Sequence, residues 1–282
     1  MGIGKGNLLA MGIDERVFTD PSLRKKVLEY GSAFDFAHIV CRSSDPGRRV
    51  ENEGGVIFYP VYSRAGFIFP LKAWSLGRKI LKKSCGSWLI SSDSPFEVGF
   101  ASWLLARKSR GRFFVQIHTD FMSPYFRQGS LKDRIRYYLA RFVVPRADCI
   151  RTVSERIKRS LLNAWKSDFP LEVQPPEITV LPIVTEIDEF FNARRNAETD
   201  ERFKNYDFKM VAVGRFVEKE KNFKMLIDMM LDFMRICPKA FLVLVGDGPD
   251  RVHYESRIKS QGLEKCVILE GWRNDLPAFL KS

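Results

Sequence analysis

Short apolar runs of strand length alternate along the chain with stretches whose apolar residues recur every three or four positions. Residues 7–13 read as a first buried strand, 22–30 as a helix closed by Gly31, and 36–41 as a second strand. A polar stretch, 42–53, precedes a strand at 56–59, and 67–83 reads as a helix that Pro70 enters or bends. Residues 87–90 form the next strand. The helix after it is well marked: Ser94 is placed to cap it, Pro95 suits its first turn, Glu97 favours its dipole and Gly111 lies past its basic end. Residues 113–117 are a strand with His118, Thr119 and Asp120 at its carboxyl end. A basic amphipathic helix (131–144), a strand (147–153), a helix starting at Ser154 and a strand (178–181) ended by Pro182 complete this part.

Residues 208–249 repeat the pattern. The apolar run 208–213 is broken by Gly214 and Arg215, and a charged loop follows, 217–221. Asn222 is placed to cap a helix whose Phe223, Leu226, Ile227, Met230 and Met234 share one face. Pro238 stops it, and the strand 241–245 enters the turn Gly246-Asp247-Gly248-Pro249. Such strand–helix–strand units imply parallel crossovers and doubly wound sheets. Residues 186–207 are polar and read as a connection between two Rossmann-like domains. Arg215 ends a strand and Lys221 stands just before a helix start, at the crevice where open α/β sheets bind ligands. Two cations beside free N–H groups of a helix start suit a diphosphate; each charge-assisted hydrogen bond there contributes about 1.5–3 kcal/mol. On spacing alone, both side chains read more readily as solvated surface charges, as most Arg and Lys are.

The net charge of +12 is uneven. Residues 64–159 carry 20 Lys and Arg against 6 Asp and Glu, so the rest of the chain is near neutral. Such a region attracts nucleic acid, anionic lipid or phosphorylated ligands, or is simply a set of solvated helix faces. Phe67, Phe69, Trp74 and Trp103 are interleaved with the cations, which raises a peripheral contact with an anionic membrane. No nucleic-acid motif is present, and no apolar run reaches membrane-span length. The five cysteines are far apart, without a C-x-x-C, and read as free thiols of a reducing, cytoplasmic compartment. No G-x-G-x-x-G follows the first strand, which argues against a Rossmann dehydrogenase.

Several stretches together resemble the GT-B-fold glycosyltransferases of group 1, also called family 4. Val211-Ala212-Val213-Gly214-Arg215-Phe216 with Lys221-Asn222 looks like the family's "VGRL…eKN". The 241–249 stretch looks like "lvlvGdGP", and 267–272 like "v.f.Gw". Ala147-Asp148 to Ile157, Thr179 to Pro182 with Asp188-Glu189-Phe190, Asp93 to Gly99, and Gln116 to Asp120 match further family elements in order. The resemblance implies a GT-B-like fold: an N-terminal acceptor-side domain over residues 1–200, with its linker from about 186, and a partial nucleotide-sugar-binding domain over 201–282. It implies a donor diphosphate site at Arg215, Lys221 and Gly214, a nucleotide-proximal turn at Gly246 and Gly248, a catalytic His118 beside the transferred sugar, and acceptor-side Gly12 and Glu97. Gly12-Ile13-Asp14-Glu15-Arg16 departs from the Gly-rich loop that family members often carry after their first strand.

The implied reaction moves a sugar from a UDP-, GDP- or ADP-sugar to a hydroxyl of a glycan or lipid-linked acceptor, with retention. In the front-face mechanism usual for the family, the leaving phosphate takes the acceptor proton. No cofactor or metal is expected beyond the nucleotide-sugar co-substrate, and no D-x-D metal motif occurs. The sequence ends at Ser282, before the family's "EGfg…llEA" segment with its two donor-binding glutamates, so the second domain reads as incomplete and this chain as inactive in transfer. A nucleotide-sugar epimerase of the same fold and a non-catalytic nucleotide-sugar-binding remnant are the alternatives.

Overall fold

A computed structural model describes residues 6–83, 86–169, 174–183 and 187–282. Cys85 and Glu186, the first residue of the expected connection, lie outside them. The chain divides into two compact units, Met1–Ile183 and Val184–Ser282.

The first unit is built on an eight-stranded sheet. Its strands are β1 (Asn7–Gly12), β2 (Ala37–Ser43), β3 (Glu51–Glu53), β4 (Val56–Tyr62), β5 (Trp88–Ser92), β6 (Arg112–Ile117), β7 (Cys149–Thr152) and β8 (Glu177–Val180), in the spatial order β3-β4-β2-β1-β5-β6-β7-β8. All pairs are parallel except β3 with β4. From β1 the chain winds outward to β4, then returns to lay β5 on the other side of β1. That reversal is a topological switch point, and it sets the carboxyl ends of β1 and β5 side by side. The helices are α1 (Pro21–Gly31), α2 (Phe69–Lys83), α3 (Glu97–Ser109), α4 (Pro124–Arg127), α5 (Leu131–Val143) and α6 (Glu155–Ser167). The larger core joins α2, α3, α5 and α6 to the central strands through Leu9, Ile90, Phe113, Val115, Leu105, Tyr137 and Leu161. A smaller one packs β1, β2 and β4 around Phe58.

Two local expectations for this unit, at 42–53 and at Ser94, are corrected. The polar stretch 42–53 ends in β3, which turns into β4 at Gly54 (φ 58°) and Gly55 (φ 85°), the positive-φ pair that a two-residue hairpin demands. Gly31, expected to close α1, is its last residue, and a Cβ there would stand 2.4 Å from Val56 Cγ2. Ser94 is not the cap of α3: Phe96 holds that position without a side-chain bond, while Asp20, Ser130 and Ser154 cap α1, α5 and α6. Gly111 lies past the basic end of α3 as expected, and the left-handed residue between them is Arg110 (φ 54°).

The second unit holds a three-stranded parallel sheet, β11-β10-β9, from β9 (Phe208–Val213), β10 (Ala240–Val245) and β11 (Val267–Gly271). β10 is buried throughout; β9 is an edge and pairs, among the described residues, with β10 alone. Helices α7 (Asp188–Asn192), α8 (Ala197–Phe203), α9 (Glu218–Lys221), α10 (Phe223–Ile236), α11 (Arg251–Ser260) and α12 (Leu276–Lys281) surround it. One face packs on α10 and α11 through Phe216, Phe223, Ile227, Tyr254 and Leu244. The other packs Phe203 and Phe279 on Phe241, Val243 and Val245, but leaves Val211 and Val213 of β9 nearly half exposed. Residues 188–207, expected to be a connection, are thus built into this unit: Phe203 and Tyr206 stack on Phe241 with centroids 5.1 and 4.3 Å apart.

Candidate functional site

In the second unit the carboxyl ends of β9 and β10 run into two turns that lock together. Gly214 N–H donates to Val245 O (2.9 Å), Phe216 N–H to Asp247 O (2.9 Å) and Gly246 N–H to Gly271 O (2.8 Å). Two glycines are required for this approach. Gly246 has φ 137°, and a Cβ there would fall 2.0 Å from Gly214 O; a Cβ on Gly248 would fall 2.4 Å from Phe216 O. The turns are therefore backbone packed on backbone, and Phe216 pins them by burying its ring between Phe223 and Tyr254.

Arg215 lies between Gly214 and the buried Phe216, with its side chain exposed. The expected charged loop is partly helical: α9 ends at Lys221. Lys221 folds its stem back over Gly214, with Cε 3.4 Å and Cδ 3.5 Å from where a Cβ on that glycine would be. A larger residue at 214 would push this lysine away. Among the described residues, neither Arg215 nor Lys221 has a side-chain hydrogen bond or ion pair. Arg215, Lys221 and Gly214 thus come together, with Gly246 and Gly248 on the adjoining turn.

The start of α10 differs from expectation. Asn222 adopts a left-handed conformation (φ 50°, ψ 45°) and makes no side-chain cap. Glu218 takes that task instead: its Oε2 accepts from the Lys224 N–H at 3.2 Å and from the Tyr254 hydroxyl at 2.8 Å. Asp250 Oδ2 in turn accepts from Glu218 N–H at 2.8 Å. This helix start already satisfies one of its N–H groups internally, so the cations, more than the dipole, carry the site's positive character. The sequence signal for Glu218 was present, an acidic residue ahead of an apolar helical face, but it stands six residues from the N–H it accepts from rather than three.

In the first unit, Gly12, Glu97 and His118 lie at the carboxyl ends of three neighbouring strands, β1, β5 and β6. Gly12 abuts Asp93, whose Oδ2 would be 3.1 Å from a Cβ at Gly12 and accepts from the Ile13 N–H at 2.7 Å. Burial pushes the Asp93 carboxyl up to about 6, against the opposing pull of that hydrogen bond. Its Oδ1 is enclosed without a partner. Glu97 opens α3 and is engaged by Arg136, whose Nε lies 2.8 and 3.1 Å from its two oxygens. His118 directly follows β6. Desolvation and, secondarily, the charge of Arg151 hold its imidazole below the ordinary value, so it is neutral at pH 7. Arg151 is fixed on β7 by bonds to Gln116 Oε1 (2.8 Å), Leu181 O (3.0 Å) and Pro182 O (3.3 Å). Sequence reasoning missed Asp93 and Arg151 as site residues because their environments come from neighbouring strands. Among the described residues no three His, Cys, Asp or Glu side chains gather as a metal cluster, and no helix is long and apolar enough to cross a membrane.

Residues 10–183 match the model of a glycosyl transferase 4-like domain, and residues 207–282 match that of the glycosyl transferases group 1. The chain belongs to the group 1 glycosyltransferases. Its two sheets and their crossovers give this group 1 glycosyltransferase a GT-B-type fold, and solved structures share it. Anabaena HepE in complex with UDP is 14% identical, with a TM-score of 0.63 over 97% of this chain and 71% of that one. The lipopolysaccharide outer core galactosyltransferase WaaB, in its apo form, is also 14% identical, with a TM-score of 0.59 over 98% of this chain and 71% of that one. A Listeria monocytogenes protein described as a UDP-N-acetylglucosamine 2-epimerase is 10% identical, with a TM-score of 0.58 over 99% and 72%. No curated protein matches the glycosyltransferase by sequence.

Proposed function

We propose that this glycosyltransferase moves a sugar from a nucleotide-sugar donor to an acceptor hydroxyl with retention, and that Arg215 and Lys221 hold the donor's diphosphate. The observation that carries the reading is the pair of unpaired cations flanking Gly214, one of them folded over it. As the bond to the anomeric carbon breaks, negative charge grows on the leaving diphosphate. Fixed cations stabilise that charge without reorganising, as preorganised electrostatic sites do, so the site needs no metal. The side-chain-free turn at Gly246 and Gly248 lets the nucleotide approach backbone. The UDP bound in Anabaena HepE supports a nucleoside diphosphate as the donor's leaving half.

On this reading His118 lies beside the transferred sugar as a neutral hydrogen-bonding group, and Gly12 and Glu97 serve the acceptor side, with Glu97 oriented by Arg136. The acceptor is a glycan or a lipid-linked hydroxyl. Calorimetric titration with UDP and GDP tests the core of it. Arg215→Ala and Lys221→Ala are each expected to weaken the preferred nucleotide about tenfold, equivalent to about 1.4 kcal/mol. Wild-type affinity in both variants would overturn the assignment.

A second reading concerns where the enzyme works: peripheral contact with an anionic membrane carrying its acceptor. The aromatics first suspected do not serve it equally. Phe69 is fully buried and Trp74 and Trp103 pack on the core, leaving only Phe67 exposed. A better face lies on α5, where Leu131, Ile135 and Tyr138 are exposed at helical spacing beside Lys132 and Arg134, with the exposed Tyr125 of α4 preceding them.

A further inference from the structure

Helices α2 and α3 approach closely at Gly77, where a Cβ would lie 2.6 Å from Leu105 Cδ1. Beyond that contact, where both helices end, they diverge around a cavity of about 250 Å³. Its floor is Leu81 and the buried Trp88, and Gly86 lies at its lip. Arg78 and Lys82 enter from α2, and Lys108 from the end of α3. Among the described residues its lining includes no acidic residue, and none of the three cations has a carboxylate partner. Arg78 stacks its guanidinium over Trp74, 4.8 Å from the ring centroid, which leaves its Nε–H enclosed and without an acceptor.

Basic residues in the last turn of a helix ordinarily complement its dipole, and Lys82 and Lys108 do so here. That accounts for the two lysines but not for Arg78, which joins them at the same cavity. Three cations gathered at one cavity without a carboxylate partner suit an anion, and a guanidinium fork matches the oxygens of a phosphate. We propose that this cavity binds a phosphate monoester, free or presented as a lipid headgroup: Arg78 donates to its oxygens, Lys82 and Lys108 neutralise it, and the attached group rests on Leu81 and Trp88. The site is not the diphosphate site, which belongs to the second unit. Nor is it part of the carboxyl-end face of the first sheet, since Trp88 opens β5 and Ser92 closes it, about 13 Å further along at ~3.3 Å per residue.

The test uses the whole chain carrying Arg215→Ala and Lys221→Ala, so that the donor site does not contribute. Inorganic phosphate is titrated calorimetrically at constant ionic strength set with chloride, and binding to phosphatidic acid vesicles is followed by sedimentation against phosphatidylcholine vesicles. Saturable binding is expected in at least one arm, weakened tenfold or more by Arg78→Met and unchanged by Lys79→Met, a change at an exposed cation on the same helix that does not line the cavity. Phosphate binding in solution identifies a free ligand, and binding to phosphatidic acid vesicles alone identifies a headgroup. If Arg78→Met melts below the assay temperature, Lys82→Met with Lys108→Met, both at exposed positions, is expected to give the same loss. The proposal is overturned if neither arm binds, or if Lys79→Met weakens binding as much as the cavity variants do.

Discussion

At Asp93 burial and hydrogen bonding pull in opposite directions, and burial wins. Its pKa of about 6 exceeds the ordinary 3.8, so the folded chain holds this proton more tightly than the unfolded chain does. The stability it contributes is present in full below about pH 3.8 and is lost as pH rises through about 6. The loss amounts to up to about 3 kcal/mol across that window. Asp93→Asn removes the titration, so urea unfolding at pH 4 and pH 7.5 is expected to show the variant gaining on the wild type at the higher pH; parallel pH profiles would refute this. Gly246→Ala is expected to cost more than about 3 kcal/mol, because its Cβ would overlap Gly214 O at a φ that L-residues rarely adopt. A thermal melt of the variant checks it. Arg215 and Lys221 were legible in the sequence because a strand end and a helix start are local patterns. Asp93 appeared only as one letter of a motif. Its enclosure depends on the chain returning to lay β5 beside β1, which no local spacing encodes.

Helix boundaries followed the same division between local and distant causes. Ser154 was legible as a helix start because its hydroxyl accepts from Ile157 N–H, three residues on. Ser94 failed because α3 begins two residues later than its Pro95 suggested, and Asn222 failed because its cap is supplied by Glu218 and braced by Tyr254 of α11. The consequence is measurable. Glu218→Ala is expected to destabilise the second unit by about 1–2 kcal/mol, through the lost cap and the stranded Tyr254 hydroxyl. Asn222→Gly, relieved of the left-handed penalty, is expected to be neutral or stabilising, while Asn222→Ala loses about 1 kcal/mol. Denaturant midpoints of the three variants separate these outcomes, and an Asn222→Ala more stable than Asn222→Gly would count against the assigned conformation. The strands were read most reliably, since an apolar run of five or six residues marks a buried parallel strand by itself. The exception, β3, is a polar edge strand whose only signal was the Gly54-Gly55 turn.

Over the whole molecule, the alternation of elements was enough to read a doubly wound α/β architecture, but strand order, and with it the switch point beside Asp93, had to come from the structure. The basic region was also legible as a total, but not as a surface, because sequence cannot tell Phe69 in the core from Leu131 on the outside. If the α5 face meets a membrane, Leu131→Asp with Ile135→Asp is expected to reduce co-sedimentation with anionic vesicles about tenfold, leaving nucleotide affinity unchanged. Binding that is indifferent to both the variant and the lipid charge would rule the contact out. The edge strand β9 carries a different consequence. Among the described residues it pairs on one side only, beside half-exposed Val211 and Val213, and such an edge is a template on which another extended chain can pair. The strand that leads into Gly214 and Arg215 therefore also sets a solubility ceiling. Light scattering of the wild type is expected to rise with concentration, and a single lysine at Val211 is expected to raise the concentration at which the solution stays monodisperse.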